Sequence, residues 1–160
     1  MAKNYRNGAI GALMDEYERA ASELKILLDK IPPEDFVKIA DPDTKDEDCR
    51  SVQTIMNHVV RAGYGYSNYI RKGFDLDSTL PAFQIKDVPE SILSFEQMLE
   101  YTVQTLEGKW EMTDEEINKI KIETRWGAAY DMEMLLEHAI VHILRHRRQI
   151  ERFLIKLNQM

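Results

Sequence analysis

Three of the four histidines in this 160-residue chain follow one another at four-residue intervals near the C-terminus, as His138, His142 and His146. The surrounding segment contains neither glycine nor proline, and its apolar residues recur with a helical period, so the pattern predicts one long helix. Residues four apart share a helix face, and two imidazoles placed in this way can bind one metal ion through nitrogens about 2.0–2.1 Å from it. The spacing therefore indicates a metal-ligand pair.

The three histidines cannot all bind the same ion. His138 and His146 lie roughly 12 Å apart along a helix that rises about 1.5 Å per residue. On a helical wheel, His146 falls within the apolar face, His142 falls at its flank and His138 lies near the polar edge. Because burying imidazoles without partners is costly, we expect His142 and His146 to form the pair. A set of solvated or capped histidines is the alternative interpretation.

Composition and length restrict the class of protein. Hydrophobic residues make up 44% of the chain and charged residues 31%, and the length suits one domain covering residues 1–160. The 28 acidic residues against 21 basic ones argue against a nucleic-acid partner. No apolar run is long enough for a membrane span and no signal peptide is visible, so no membrane partner is expected. The single cysteine, Cys49, favours a reducing, cytoplasmic location.

Two amphipathic helices are predicted in the first half of the chain. The first has apolar residues at three- and four-residue steps from Ile10 to Ile31, and it ends before two prolines, which cannot continue a helix. A loop follows, with one helical turn expected within residues 34–39. The second helix begins after Ser51, a favourable N-cap residue, and continues to about Lys72.

Two more helices are predicted in the second half. The third is expected to begin at Ser94, which matches a capping box with the residue three positions later, and to continue to about Lys109. Residues 119–123 alternate like an isolated extended segment, and Asp131 is the expected cap of the fourth helix. The long connection at 73–89 permits a crossover rather than a hairpin. The predicted fold is an all-α four-helix bundle, whose interior commonly holds metal sites.

The fourth histidine, His58, lies at the flank of the apolar stripe on the second helix. Two glycines follow it, Gly63 and Gly65, and each costs about 1 kcal/mol in a helix interior. Close packing against a neighbouring helix is one explanation for them. The other is that missing side chains leave space beside His58 for an ion and a ligand, with a hydroxyl from Tyr64 or Tyr69.

Residues 51–58, 124–127 and 138–150 resemble the DinB-like (DinB/YfiT) family of metalloenzymes. The resemblance covers essentially the whole chain, and its most specific part is the histidine set ending in a His-Arg-Gly-Gln-like motif. It implies a four-helix bundle with long crossover connections. It also implies that one histidine of the second helix and two of the last bind a divalent ion, commonly zinc or nickel. By motif, these ligands are His58, His142 and His146.

Other positions of the motif point to the surroundings of the ion. The chain has Arg148 where the family commonly has glycine, so the helix packs less closely there, or the arginine points to solvent, or it lines the site. His138 matches a position that is often histidine in the family, and we expect it at the rim. With Tyr69, these residues are candidates for the pocket rather than for the ligand set.

Three neutral imidazoles leave a tetrahedral ion with one open position, which suits a water molecule or a thiol. Better-understood relatives include transferases of low-molecular-weight thiols and a thiol-dependent isomerase. Thiol transfer to a small-molecule substrate is therefore one hypothesis, and hydrolysis is another. The sequence identifies no catalytic side chain, since Glu137 lies on a polar flank and Cys49 lies in an acidic loop that raises a thiol pKa.

The alternative is a protein without catalytic activity. The metal would then be structural, and the bundle would serve as a metal-binding or dimerisation module linked to stress. Structural zinc sites usually have four protein ligands, whereas three strong candidates are found here, which favours an open site. Because bundles of this kind often pair, we expect a homodimer.

Overall fold

The structure of the chain is a computed structural model that describes residues 4–159. A short 3-10 turn, Glu47–Cys49, precedes the second long helix. The helices and strands in the described range are α1 (Gly8–Leu28), α2 (Pro33–Val37), α3 (Val52–Gly73), α4 (Val88–Leu106), α5 (Asp114–Lys119), β1 (Ile122–Glu123), β2 (Ala129–Tyr130) and α6 (Met132–Leu157). Four of the helices are long, so the predicted all-α bundle is confirmed. Within residues 4–159, no helix is both long and apolar enough to cross a membrane.

The four long helices pack in a ring, in which α1 contacts α4 and α6, and α3 contacts the same two helices. α3 and α4 run in the same direction, because Ser67 lies beside Thr102 and, one turn later, Arg71 lies beside Thr105. Two parallel neighbours cannot be joined by a tight turn. A long connection between them is therefore required.

Residues 74–87 form that connection, and they return along the outside of α3. Near the end of α3, the Asn68 side chain donates a hydrogen bond to the carbonyl of Thr79 at 2.9 Å. Near its start, the Gln53 side chain donates to the carbonyl of Ile85 at 3.0 Å. The connection is thus the predicted crossover, and α3 side chains hold it in place.

Local capping signals predict the starts of α3 and α6 correctly. The Ser51 hydroxyl accepts a hydrogen bond from the backbone N–H of Thr54 and, with the Thr54 side chain, completes a capping box. The Asp131 carboxylate accepts from the N–H of Met134. These two helices carry all four histidines, so the N-caps determine where both helices of the site begin.

The predicted start of α4 at Ser94 is wrong. The N-cap is Asp87, seven residues before Ser94, because its carboxylate accepts a hydrogen bond from the N–H of Glu90, and the helix begins at Val88. Pro89 lies in the first turn, where the missing N–H of proline costs no intrahelical hydrogen bond. Asp87 and Ser94 are both favourable N-cap residues, and the helix begins after the first of them.

Residues 119–123 do not form an isolated extended segment, and that prediction is also wrong. β1 pairs antiparallel with β2. The turn between them is held by Thr124, whose hydroxyl donates a hydrogen bond to the carbonyl of Ala128 at 2.8 Å. This turn carries Arg125 and Trp126 towards α3.

The two glycines of α3 have different surroundings. A Cβ atom on Gly63 would collide with the side chain of Met98, which is fully buried on α4. A Cβ atom on Gly65 would meet nothing within 4 Å. Close packing against α4 therefore explains why position 63 is a glycine, whereas Gly65 faces open space.

We expect opposite effects from replacing these glycines with alanine. Gly63→Ala should lower the free energy of unfolding by about 1–2 kcal/mol, since overpacking outweighs the gain in helix propensity. Gly65→Ala should raise it by up to about 1 kcal/mol, because only the propensity changes. Urea denaturation of the two variants measures both values, and equal effects would contradict the packing described here.

Candidate metal centre

α3 and α6 bring His58, His142 and His146 together in space. Nε2 of His142 lies 2.9 Å from Nε2 of His58 and 3.2 Å from Nε2 of His146. One ring nitrogen from each histidine lies within 4.8 Å of the corresponding atoms of the other two. His142 and His146 are adjacent because four residues make about one helical turn. His58 reaches them across the interface between α3 and α6.

The outer ring nitrogens of two of these histidines face hydrogen-bond acceptors. Nδ1 of His58 lies 3.3 Å from the Asp48 carboxylate, and Nδ1 of His146 lies 3.0 Å from Oε1 of Gln149. A carboxylate oxygen and an amide oxygen accept hydrogen bonds and have no hydrogen to give. In a neutral ring, an oxygen of this kind beside Nδ1 favours the tautomer with the hydrogen on Nδ1, in which Nε2 presents a lone pair.

Both of these lone pairs point to the Nε2 atom of His142. A neutral imidazole carries one N–H, so His142 can donate to one of its two neighbours and leaves the other without a hydrogen. A cation satisfies all three nitrogens at once. Two nitrogens bound to one ion at about 2.0–2.1 Å lie at most about 4.2 Å apart, and the Nε2 separations of 2.9 Å (His58–His142) and 3.2 Å (His142–His146) meet that limit. The donor set fits a divalent metal ion.

The electrostatic surroundings keep the imidazoles of α6 neutral. Burial, followed by the neighbouring rings of His146 and His58, lowers the pKa of His142 to about 3. The pKa of His146 is also lowered, first by burial and then by His58. Neutral imidazole is the form that binds metals, so protons do not compete for these two nitrogens near neutral pH.

A cavity of about 880 Å³ opens beside His58. One wall is formed by the crossover connection, through Leu76 and Leu80, and the other by the β1–β2 turn and His138. The floor is the face of α3 that carries His58, Arg61, Ala62, Gly65, Tyr69 and Lys72. The space expected beside His58 is therefore present, and Gly65 lies in the middle of its floor.

His138 and Tyr69 both support the wall of this cavity. The His138 ring stacks on Trp126, with centroids 5.5 Å apart and an interplanar angle of 23°. Its Nδ1 atom lies 3.3 Å from the Tyr130 hydroxyl. The Tyr69 hydroxyl accepts a hydrogen bond from the backbone N–H of Arg125 at 2.9 Å. Both residues thus hold the β1–β2 turn beside α3, at the rim of the site.

Two other predicted candidates lie away from the cavity. Arg148 is exposed and does not line the cavity. Of the three predicted placements, the one that the structure shows is the side chain pointing to solvent. Its neighbour Arg147 forms an ion pair with Glu23 of α1. Tyr64 packs against Tyr101 of α4, with ring centroids 5.1 Å apart, and is not part of the lining.

Asp48 and Gln149 were not among the site residues predicted from the sequence. Asp48 belongs to an acidic loop, and no periodicity links a loop residue to a histidine on a helix. Gln149 lies three residues after His146, a spacing that places side chains side by side on a helix, so this signal was available. Each residue contacts the ring of a clustered histidine on the side away from the other two histidines.

The sequence profile of the DinB family matches residues 1–157 of the chain. The chain belongs to the DinB family. No curated protein and no solved structure gives a significant match. Membership of the DinB family and the cluster of His58, His142 and His146 together fit a metal-binding helical protein.

Stripped of metal with EDTA, this DinB protein should lose stability as the pH falls from 6.5 to 5. The unfolded chain protonates His142 near its ordinary pKa of 6.5, whereas the folded chain does so only near a pKa of about 3. Between these values the unfolded state binds more protons, so the free energy of unfolding falls with pH. Carboxylates titrate mostly below this window, at pKa values of about 4.

Urea denaturation between pH 8 and pH 5 measures this dependence. His142→Gln should show a shallower slope than the unmodified protein, while the surface control Lys30→Gln should keep the full slope. An unchanged slope in His142→Gln would contradict the burial of this imidazole.

Proposed function

We propose that this protein is a divalent-metal-dependent enzyme of the cytoplasm that transfers a low-molecular-weight thiol to a second small molecule. One observation carries the proposal: three imidazole nitrogens converge with more lone pairs than hydrogens, and one of the three rings lines a large cavity. Metal-binding groups at the wall of a cavity are available to a substrate. A cluster that is fully enclosed in the protein would not be accessible to a substrate.

His58, His142 and His146 would hold the ion, which we propose to be zinc or nickel. Three protein ligands are one fewer than structural zinc sites usually have. When bound, such an ion lowers the pKa of a thiol or a water molecule that coordinates it. Asp48 and Gln149 keep Nδ1 of His58 and of His146 protonated, so that the lone pairs of Nε2 remain directed at the ion.

The side chains around the cavity favour thiol transfer over hydrolysis. Activating water requires a proton acceptor beside it, since even metal-bound water has a pKa of about 7 or above, and a histidine or a carboxylate is the usual choice. His138 also lines the cavity, but its ring stacks on Trp126 and its Nδ1 atom lies 3.3 Å from the Tyr130 hydroxyl, which holds it at the rim. Asp48 is already engaged with His58, and Asp75 lies beyond the far end of α3. Glu137 is exposed and does not line the cavity. A thiol ionises more readily than water and needs no such base.

The sulfur comes from a separate molecule rather than from the protein. Cys49 is half-buried, and its pKa is raised, first by burial and also by Asp46 and Asp48. In the proposed reaction the thiol releases its proton to solvent, and its sulfur forms a bond to a carbon of the second substrate. The leaving group departs with the electron pair of the bond that breaks.

Metal analysis and activity assays test the proposal together. Purified protein should contain about one equivalent of zinc or nickel per chain, by inductively coupled plasma mass spectrometry. His142→Ala should lose the metal, whereas the matched control His138→Ala should retain it, because its ring stacks on Trp126 and lies outside the cluster. A panel of small thiols with 1-chloro-2,4-dinitrobenzene, in which sulfur replaces chloride, then measures transfer.

Turnover that is lost in His142→Ala would support the enzyme. Bound metal without turnover on the thiol panel and on a panel of hydrolase substrates would instead favour the non-catalytic metal-binding or dimerisation module. Light scattering of the same samples tests the expected homodimer, which has twice the mass of the chain.

The Asp48 carboxylate should strengthen metal binding without touching the ion. Asp48→Asn should weaken zinc affinity about 10–100-fold, because the amide no longer fixes the hydrogen on Nδ1 of His58. Asp43→Asn, in the same loop and exposed, is the matched control and should keep the original affinity. Competition against a fluorescent zinc chelator measures both constants. Equal affinities would show that Asp48 does not orient the ligand.

A further inference from the structure

We propose that the cavity binds an elongated anionic ligand with a planar ring, the ring lying beside Trp126 and the anionic group at Arg125 and Lys72. The chemical class is a carboxylate or phosphate attached to an aromatic or similarly flat group. This inference rests on the proposed function in one respect, since it names the class of small molecule that the thiol-transfer site would accept. The binding itself does not require the metal.

The length of the cavity floor sets the shape of the ligand. From His58 to Lys72, α3 advances fourteen residues, or roughly 21 Å at about 1.5 Å per residue. Ala62 and Gly65 occupy the middle of this face, and nothing lies within 4 Å of the position that a Gly65 Cβ atom would take. The middle of the floor is therefore open around Gly65, and a ligand can extend from the histidine end towards the end of α3.

Aromatic side chains form one wall of the cavity beside this floor. Trp126 is 46% exposed, although four neighbouring rings, including that of Tyr130, fix its position. It stacks on His138, and it makes edge contacts with Tyr66 and Tyr69 at centroid distances of 6.3 and 5.9 Å. A large aromatic ring that is both rigid and accessible is suited to contact a flat group. Trp126 provides such a surface at the cavity wall.

The charges of the lining select an anion. Arg61, Lys72 and Arg125 all line the cavity, and their side chains form no hydrogen bond or ion pair with any residue in 4–159. The lining also holds two carboxylates, Asp48 beside His58 and Asp75, so three cations against two carboxylates leave a formal charge of +1. The whole chain has a net charge of −7, so this excess of positive charge is local. It disfavours the cationic ligands that aromatic walls otherwise attract.

A pair of fluorescent probes tests the preference for an anion. 8-Anilinonaphthalene-1-sulfonate is flat and anionic, and N-phenyl-1-naphthylamine has the same rings without the sulfonate. In metal-free protein, the anionic probe should bind about tenfold more tightly than the neutral one. The double variant Lys72→Gln/Arg125→Gln should raise the Kd of the anionic probe about tenfold and leave that of the neutral probe unchanged. Lys30→Gln, outside the cavity, should change neither.

A second variant controls for binding elsewhere on the surface. Gly65→Leu fills the middle of the cavity floor and should abolish binding of both probes. We expect this variant to fold, because leucine is a better helix former than glycine. Equal affinity for the two probes, or unchanged binding in Gly65→Leu, would overturn the proposal. If the probes respond as expected but no metal binds, the proposed function fails while this inference stands.

Competition identifies the anionic group. Displacement of the anionic probe by benzoate or by phenyl phosphate at concentrations where benzyl alcohol has no effect would support the proposal and would distinguish a carboxylate from a phosphate. Equal displacement by benzyl alcohol would overturn the assignment of an anion.

Discussion

The site depends on one constraint: three imidazole nitrogens face one another inside the bundle without enough hydrogens to satisfy them. Two rings are held in one tautomer, His58 by Asp48 and His146 by Gln149, so their lone pairs converge on His142. Buried polar atoms without partners are costly, and a cation is the partner that serves three nitrogens together. The packing of α3 against α6 brings these groups into one place.

The remaining architecture gives this cluster a cavity. α3 supplies a flat floor because Gly65 has no side chain, and the two walls come from irregular segments that α3 itself holds. Its side chains bind the crossover connection through Asn68 and the β1–β2 turn through Tyr69. Functional groups on loops that a rigid scaffold positions are the usual arrangement in proteins. One helix thus links the metal centre, the cavity and both of its walls.

The sequence alone predicts those features of the site that depend on residues close together in the chain. The four-residue spacing identifies His142 and His146, and local caps identify the starts of α3 and α6. Long-range contacts are different: the place of His58 follows from family resemblance, and Asp48 could not be predicted because a loop residue has no helical phase. The error at α4 has another cause, since Asp87 and Ser94 both match N-cap preferences and the helix begins at the earlier of the two.

The most direct test of the central claim is anomalous scattering from a crystal of the metal-loaded protein, recorded on both sides of the zinc and nickel absorption edges. We expect one anomalous peak about 2.0–2.1 Å from Nε2 of each of His58, His142 and His146. A metal-loaded crystal with no peak between these rings, or with the three rings turned apart, would contradict this claim.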